Sequence, residues 1–232
     1  MIQQLLDGAA RLGLSLTRPQ AEALVAYLDL IQKWNKVYNL TAVREPTQML
    51  THHLLDSLAV VAPLLRQLAG WAYARDGADD NRSGPAFRVL DVGSGAGLPG
   101  IVIAICCPQI QVDCVDTVAK KAAFISQVAV TLKLPNLRGL HSRVENLGGA
   151  AGGAKYDVVC SRAFATLADF TDWSAGALAE GGVWMAMKGK QPADEVVALG
   201  ERAPAIEVFH VEQLAVPGLD ADRCIVWMRK AE

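Results

Sequence analysis

The stretch Val89-Leu90-Asp91-Val92-Gly93-Ser94-Gly95-Ala96-Gly97-Leu98-Pro99-Gly100 carries the most chemical information in the chain. A short apolar run enters a turn dense in glycine, and a helix-length apolar pattern follows. Glycine lacks a Cβ, so its backbone reaches positive φ and lets a ligand lie directly against the chain. The helix beyond the turn offers N–H groups without intrahelical partners at its start. Asp116 closes the next strand about twenty residues on, where a carboxylate accepts hydrogen bonds from both hydroxyls of a ribose. The combination reads as a site for an adenosine cofactor.

Asp91 selects among such cofactors. A dinucleotide sets an anionic pyrophosphate over the glycines, and a carboxylate two residues before the first of them would repel it. S-adenosyl-L-methionine has no phosphate and carries a sulfonium and an ammonium, so Asp91 suits its cationic end. The D-x-G-x-G-x-G form therefore points to a methyl donor, with Asp91, Gly95 and Asp116 among the cofactor-binding residues. A bare G-x-G-x-x-G, also present at Gly95, Gly97 and Gly100, is weak evidence by itself. An NAD-dependent oxidoreductase shares the strand, the glycines and Asp116, and is the alternative that Asp91 disfavours.

The elements that must hold this loop follow from periodicity. Short β-branched runs at 88–92, 111–116, 156–160 and 183–187 alternate with helix-length patterns at 98–107 and 120–134, which predicts βαβ units and a mainly parallel sheet. Residues 206–211 and 224–228 flank Pro217-Gly218 as a closing antiparallel pair would, so one edge of the sheet is expected to be mixed. Upstream, Leu24, Val25, Leu28, Ile31 and Trp34 recur at helical spacing after Thr17-Arg18-Pro19, and Glu45-Pro46 starts another helix through His52, His53 and Asp56 toward Pro63. Tyr27, Trp34 and Tyr38 are expected in the core. The polar, glycine-rich run 72–85 reads as an exposed loop. The resulting division is a helical extension at 1–70, a loop at 71–86 and a cofactor-binding core at 87–232.

Composition narrows the class further. The 232 residues, 52% of them hydrophobic, exclude a disordered or fibrous chain. Five cysteines without a C-x-x-C pair indicate neither a disulfide framework nor a zinc knuckle. Residues 1–6 lack the basic start and apolar run of a secretory signal, and the longest apolar run, 101–107, is too short for a membrane span, so a cytoplasmic address is expected. The net charge of -2 argues against nucleic-acid binding by overall field. Yet no acidic residue lies between Asp116 and Glu145, while Lys120, Lys121, Lys133, Arg138 and Arg143 do. That stretch fits phosphate contacts or a solvated helix face, and Lys188 and Arg223 extend it only if the fold brings them together. His52 and Asp56 share a helix face, but with no third ligand in sight no metal site is expected.

Taken together, Lys33-Trp34-Asn35-Lys36, Asn39-Leu40-Thr41-Ala42-Val43-Arg44, His53 with Asp56-Ser57, the Asp91–Gly100 loop, Asp116, Lys120-Lys121, Ser142-Arg143-Val144-Glu145, Ser161-Arg162-Ala163-Phe164-Ala165 and Met187-Lys188-Gly189 closely resemble the ribosomal RNA small subunit methyltransferase G family, also called glucose-inhibited division protein B. The resemblance runs from about residue 25 to the C-terminus. It implies an α/β, Rossmann-like class I methyltransferase preceded by N-terminal helices, moving a methyl group from S-adenosyl-L-methionine to guanine N7 in small-subunit (16S) ribosomal RNA. Its partner would be that RNA or the small ribosomal subunit, and a monomer is expected. The family's cofactor contacts fall on Gly93, Leu98, Val144, Glu145 and Arg162, and Asn39, Arg44 and His53 become substrate-side candidates; for Asn39 a capped turn is the alternative. Guanine N7 has a lone pair and no proton, so no catalytic acid or base is named. Residues 68–86 are longer than the family pattern and read as an insertion. A small-subunit assembly factor that keeps the cofactor fold without catalysis is the other alternative.

Overall fold

The computed structural model describes residues 1–75, 87–148 and 154–231. The chain opens with α1 (Ile2–Arg11) and α2 (Arg18–Tyr38), then α3 (Pro46–Met49), a wider π turn (Leu50–Leu55), α4 (Asp56–Leu58) and α5 (Val61–Arg75). Thr17 starts α2 with a reciprocal cap: its hydroxyl accepts the Gln20 N–H, and the Gln20 side chain accepts the Thr17 N–H. Asn39 ends it at φ 49°, a left-handed position that asparagine tolerates better than most residues.

Then follow β1 (Phe87–Val92), α6 (Gly100–Cys106), β2 (Ile110–Asp116), α7 (Ala119–Thr131), β3 (Leu137–His141), a 3-10 turn (Val144–Asn146), β4 (Tyr156–Arg162), α8 (Leu167–Ser174), β5 (Leu178–Lys188), α9 (Ala193–Arg202), β6 (Ile206–Gln213) and β7 (Cys224–Lys230). One sheet takes the order β3-β2-β1-β4-β5-β7-β6. Its first five strands are parallel, and β7 runs antiparallel to both β5 and β6, giving the mixed edge that the sequence predicts. The order reverses between β1 and β4, and at such a switch point the connections diverge and leave a crevice at the carboxyl ends of the strands.

Strand residues alternate between two apolar layers. Val89, Val112, Val158 and Met185 pack with Leu24, Leu28, Ile31, Leu58, Ile101 and Phe124, whereas Leu90, Val92, Val159 and Trp184 pack with Leu167, Phe170 and Leu199. The N-terminal helices therefore form one layer of the same core as the sheet, since burying their apolar stripes requires its face. Tyr27 is buried and donates to the Ala96 carbonyl at 2.6 Å. Tyr38 corrects the core expectation: it is exposed, with the Lys120 ammonium 5.8 Å from its ring centroid.

Two boundaries shift and one strand escapes the sequence pattern. The helix expected from residue 98 begins at Gly100, because Leu98 and Pro99 belong to the turn. Of the loop expected at 71–86, residues 71–75 belong to α5, and 76–86 lie outside the described residues. β3 was not legible as a strand, because Arg138, Gly139 and an exposed His141 break the apolar alternation on this edge.

Candidate functional site

Asp91 ties the glycine loop to the sheet. Its Oδ2 accepts the Gly100 N–H at 2.9 Å, and a Cβ on Gly100 would lie 2.3 Å from Cys114 Sγ, so the helix start can approach the carboxylate only as glycine. Gly93 turns at φ +65° with the Phe164 ring against it; a Cβ there would lie 2.2 Å from a ring carbon. Asp91 is fully buried, and its Oδ1 has no partner among the described residues. Burial pushes its carboxyl up to about 7, with the Gly100 N–H and the Arg162 guanidinium pulling it down and Asp116 adding to the rise. The carboxylate sits beneath the loop, away from both cavities, with its charged form disfavoured by burial.

A cavity of about 480 Å³ opens at the carboxyl ends of β1, β2 and β4. It brings together Gly93, Asp116, Val144 and Glu145, all expected, and adds Lys121, Ser142, Phe164 and Trp173. Asp116 Oδ2 accepts the Gly95 N–H at 3.0 Å and Oδ1 the Val118 N–H at 2.9 Å, with Lys121 Nζ 3.6 Å away. Each oxygen keeps acceptor capacity for a ribose hydroxyl. Gly95 thus acts by holding Asp116 rather than by lining the cavity. Leu98, expected as a contact, is 3% exposed and packs in the core. Free acceptors on Asp116 and a glycine edge at Gly93 suit the ribose of S-adenosyl-L-methionine, whereas Asp91, expected as a contact, is fully buried and lines neither cavity.

A second cavity, about 430 Å³, is lined by Val43, His53, Asp56, Arg162, Ala163, Met187, Lys188 and Arg223, among others. Asp56 bridges two arginines: Oδ2 accepts from Arg162 Nη1 at 3.0 Å and Oδ1 from Arg223 Nε at 2.8 Å. Arg162, carried over as a cofactor contact, therefore faces this cavity instead of the first, drawn there by Asp56 and by the His52 carbonyl at 3.0 Å. His53 Nε2 lies 2.9 Å from Thr41 Oγ1, while its Nδ1 has no partner among the described residues. Burial, helped by Arg162, lowers its pKa to about 4, so the ring is neutral at physiological pH. Asn39 and Arg44 line neither cavity. Asn39 ends α2, as the capped-turn alternative has it, and Arg44 reaches Asn39 Oδ1 at 3.5 Å beside a smaller cleft with Lys36 and Asn35. Ala163, at φ 51°, lines both cavities and is their common wall.

The basic stretch divides. Arg138 turns to the sheet, with Nε 2.8 Å from Asp113 Oδ1, and Asp113 also accepts from Tyr156 at 2.7 Å. Lys121 faces Asp116, Lys120 lies over the Tyr38 ring, and Arg143 stands 4.0 Å from Glu145 on the lining of the first cavity. Lys188 and Arg223 both line the second cavity, Lys188 paired with Glu195 at 2.7 Å and Arg223 with Asp56 at 2.8 Å.

Residues 20–226 match the family described as rRNA small subunit methyltransferase G. The chain belongs to that family. Two curated relatives are each named Ribosomal RNA small subunit methyltransferase G. The one from Albidiferax ferrireducens is 64% identical over 99% of this chain and 97% of its own length. The one from Paracidovorax citrulli is 62% identical over 96% and 87%. A SAM-dependent methyltransferase from Aquifex aeolicus shares the fold, with a TM-score of 0.51 and 15% identity over 82% of this chain and 96% of that one. The architecture is Rossmann-like α/β, and membership of a methyltransferase family rules out the oxidoreductase alternative. Of the residues lining the first cavity, Thr117, Lys121, Ser142, Phe164 and Trp173 are among those not named as contacts from the sequence. Ser142 and Phe164 stand within family strings visible in the sequence, but Trp173 rides on α8, for which no periodic signal was read.

Proposed function

We propose that this chain, acting as a monomer in the cytoplasm, transfers a methyl group from S-adenosyl-L-methionine to N7 of a guanine in 16S ribosomal RNA, presented as RNA or within the small ribosomal subunit. The observation that carries the reading is the pair of cavities meeting at Ala163: one suited to an adenosyl group, the other walled by arginine, lysine and a neutral histidine. When bound, the cofactor supplies an activated methyl group. Asp116 and the Gly93 edge hold the adenosyl end, and the Asp56-bridged Arg162 and Arg223 present guanidinium donors to the acceptor side. A guanine offers its O6 carbonyl beside N7, an acceptor that such donors recognise while the N7 lone pair stays free. N7 has no proton to lose, so the neutral His53 need not act as a base; orientation of the two reactants carries the rate, worth about 7 to 11 kcal/mol at the favourable limit.

The test is transfer of tritiated methyl to ribosomal RNA and small subunits from a strain lacking this protein, followed by mass mapping. Incorporation as 7-methylguanine at a single 16S position supports the reading. Binding to subunits with no label transferred would support the assembly-factor alternative and refute it.

A further inference from the structure

Trp173 is 39% exposed, whereas Trp184 is 0% and Trp227 2% exposed. Of the large apolar side chains left exposed among the described residues, it is the one lining the larger cavity. Its helix is held firmly. Thr166 caps α8 by accepting the Asp169 N–H, and the neighbouring Ser174 hydroxyl accepts the Trp184 indole N–H at 2.9 Å, pinning the helix to β5. Leu167, Phe170, Thr171 and Ser174 face inward, which leaves Trp173 off the buried face and beside the cavity. The indole meets Phe164 edge-on, with centroids 5.9 Å apart at 81°. Phe164 in turn rests against Gly93, so the aromatic pair is braced by the glycine loop itself. α8 also packs against the 3-10 turn that carries Val144 and Glu145.

On the reading of this cavity as the adenosyl pocket, we propose that Trp173 is a cofactor-binding residue: its indole covers the purine ring, with Phe164 fixing its orientation and Val144 on the same base end of the cavity. A part-exposed indole on a rigid helix beside a cavity gains a π-face partner and loses its contact with water when a purine enters. Removing an aromatic platform under a base weakens binding by about tenfold to a hundredfold.

The test uses the full chain with S-adenosylhomocysteine and 5′-methylthioadenosine, which share the adenosine and differ in the amino-acid tail. Calorimetry should show Trp173→Ala weakening both by a similar factor, tenfold or more, with far-UV circular dichroism unchanged. Trp173→Phe should bind within about threefold of wild type but lose the tryptophan fluorescence change seen on binding. Wild-type affinity in Trp173→Ala, or a fluorescence response that survives in Trp173→Phe, would overturn the proposal. If the wild-type chain fails to bind S-adenosylhomocysteine, the adenosyl reading fails first and the role of Trp173 falls with it.

Discussion

Replacing Asp91 with asparagine should stabilise the ligand-free protein at pH 8 while lowering its affinity for the cofactor. The carboxyl is fully buried and held at about 7 instead of 3.8, so keeping it ionised costs the folded state roughly 4 kcal/mol. Asparagine keeps an oxygen to accept the Gly100 N–H, but its amide nitrogen falls where Oδ1 has no partner, and unsatisfied donors there cost about 1 to 3 kcal/mol. The net gain expected at pH 8 is about 1 to 3 kcal/mol. Because the folded-state pKa is raised, the folded protein holds the proton more tightly than the unfolded chain. The wild-type penalty is therefore absent below about pH 4, grows through the window up to about 7, and is constant above it. Urea unfolding of both proteins from pH 5 to 8.5 measures this, and the gap in stability should widen by roughly 2 to 3 kcal/mol between pH 5 and 8 in favour of Asp91→Asn. Calorimetry with S-adenosylhomocysteine reads the second half: the ammonium of the ligand then lacks the field of a negative charge beneath the loop. A gap independent of pH, or cofactor affinity unchanged in Asp91→Asn, would refute the assignment of Asp91 as a buried, cation-seeking carboxyl.

Three further outcomes follow from the same geometry. Gly93→Ala combines a left-handed backbone with a Cβ driven into Phe164, and should cost about 1 to 3 kcal/mol and at least tenfold in S-adenosylhomocysteine affinity, read by thermal melting and calorimetry. His53→Ala should lower kcat on ribosomal RNA at least tenfold with cofactor affinity unchanged; because His53 titrates at about 4, the wild-type kcat profile should show no His53 inflection between pH 6 and 8. Asp56→Ala leaves Arg162 and Arg223 without their shared carboxylate, and should shift the urea midpoint by an amount equal to roughly 2 to 3 kcal/mol, the partial exposure of both guanidiniums keeping the loss below that of a fully buried pair.

The glycine loop, Asp116 and the parallel alternation were legible because turn chemistry and side-chain period are local: positive φ at Gly93 and the switch from period 2 to 3.6 are written into adjacent residues. β3 and α8 were not, since one is a polar edge strand and the other is short and buries residues whose hydroxyls bond back into its own helix. Trp173 was lost with α8. Val144 and Glu145 came through resemblance and do line the cavity, while Leu98 lies in the core and Arg162 faces the other cavity.

The sequence by itself pointed to an adenosine cofactor, because a glycine-dense turn and a strand-end carboxylate are local features, and to the family through strings spread from Lys33 to Gly189. Only the tertiary structure decided what each charge does. Asp56 meets an arginine 106 residues away and another 167 away, and that contact aims Arg162. Asp91 and His53 take their protonation from how completely the packed chain removes water around them, a property of many distant segments at once that no neighbouring residue encodes.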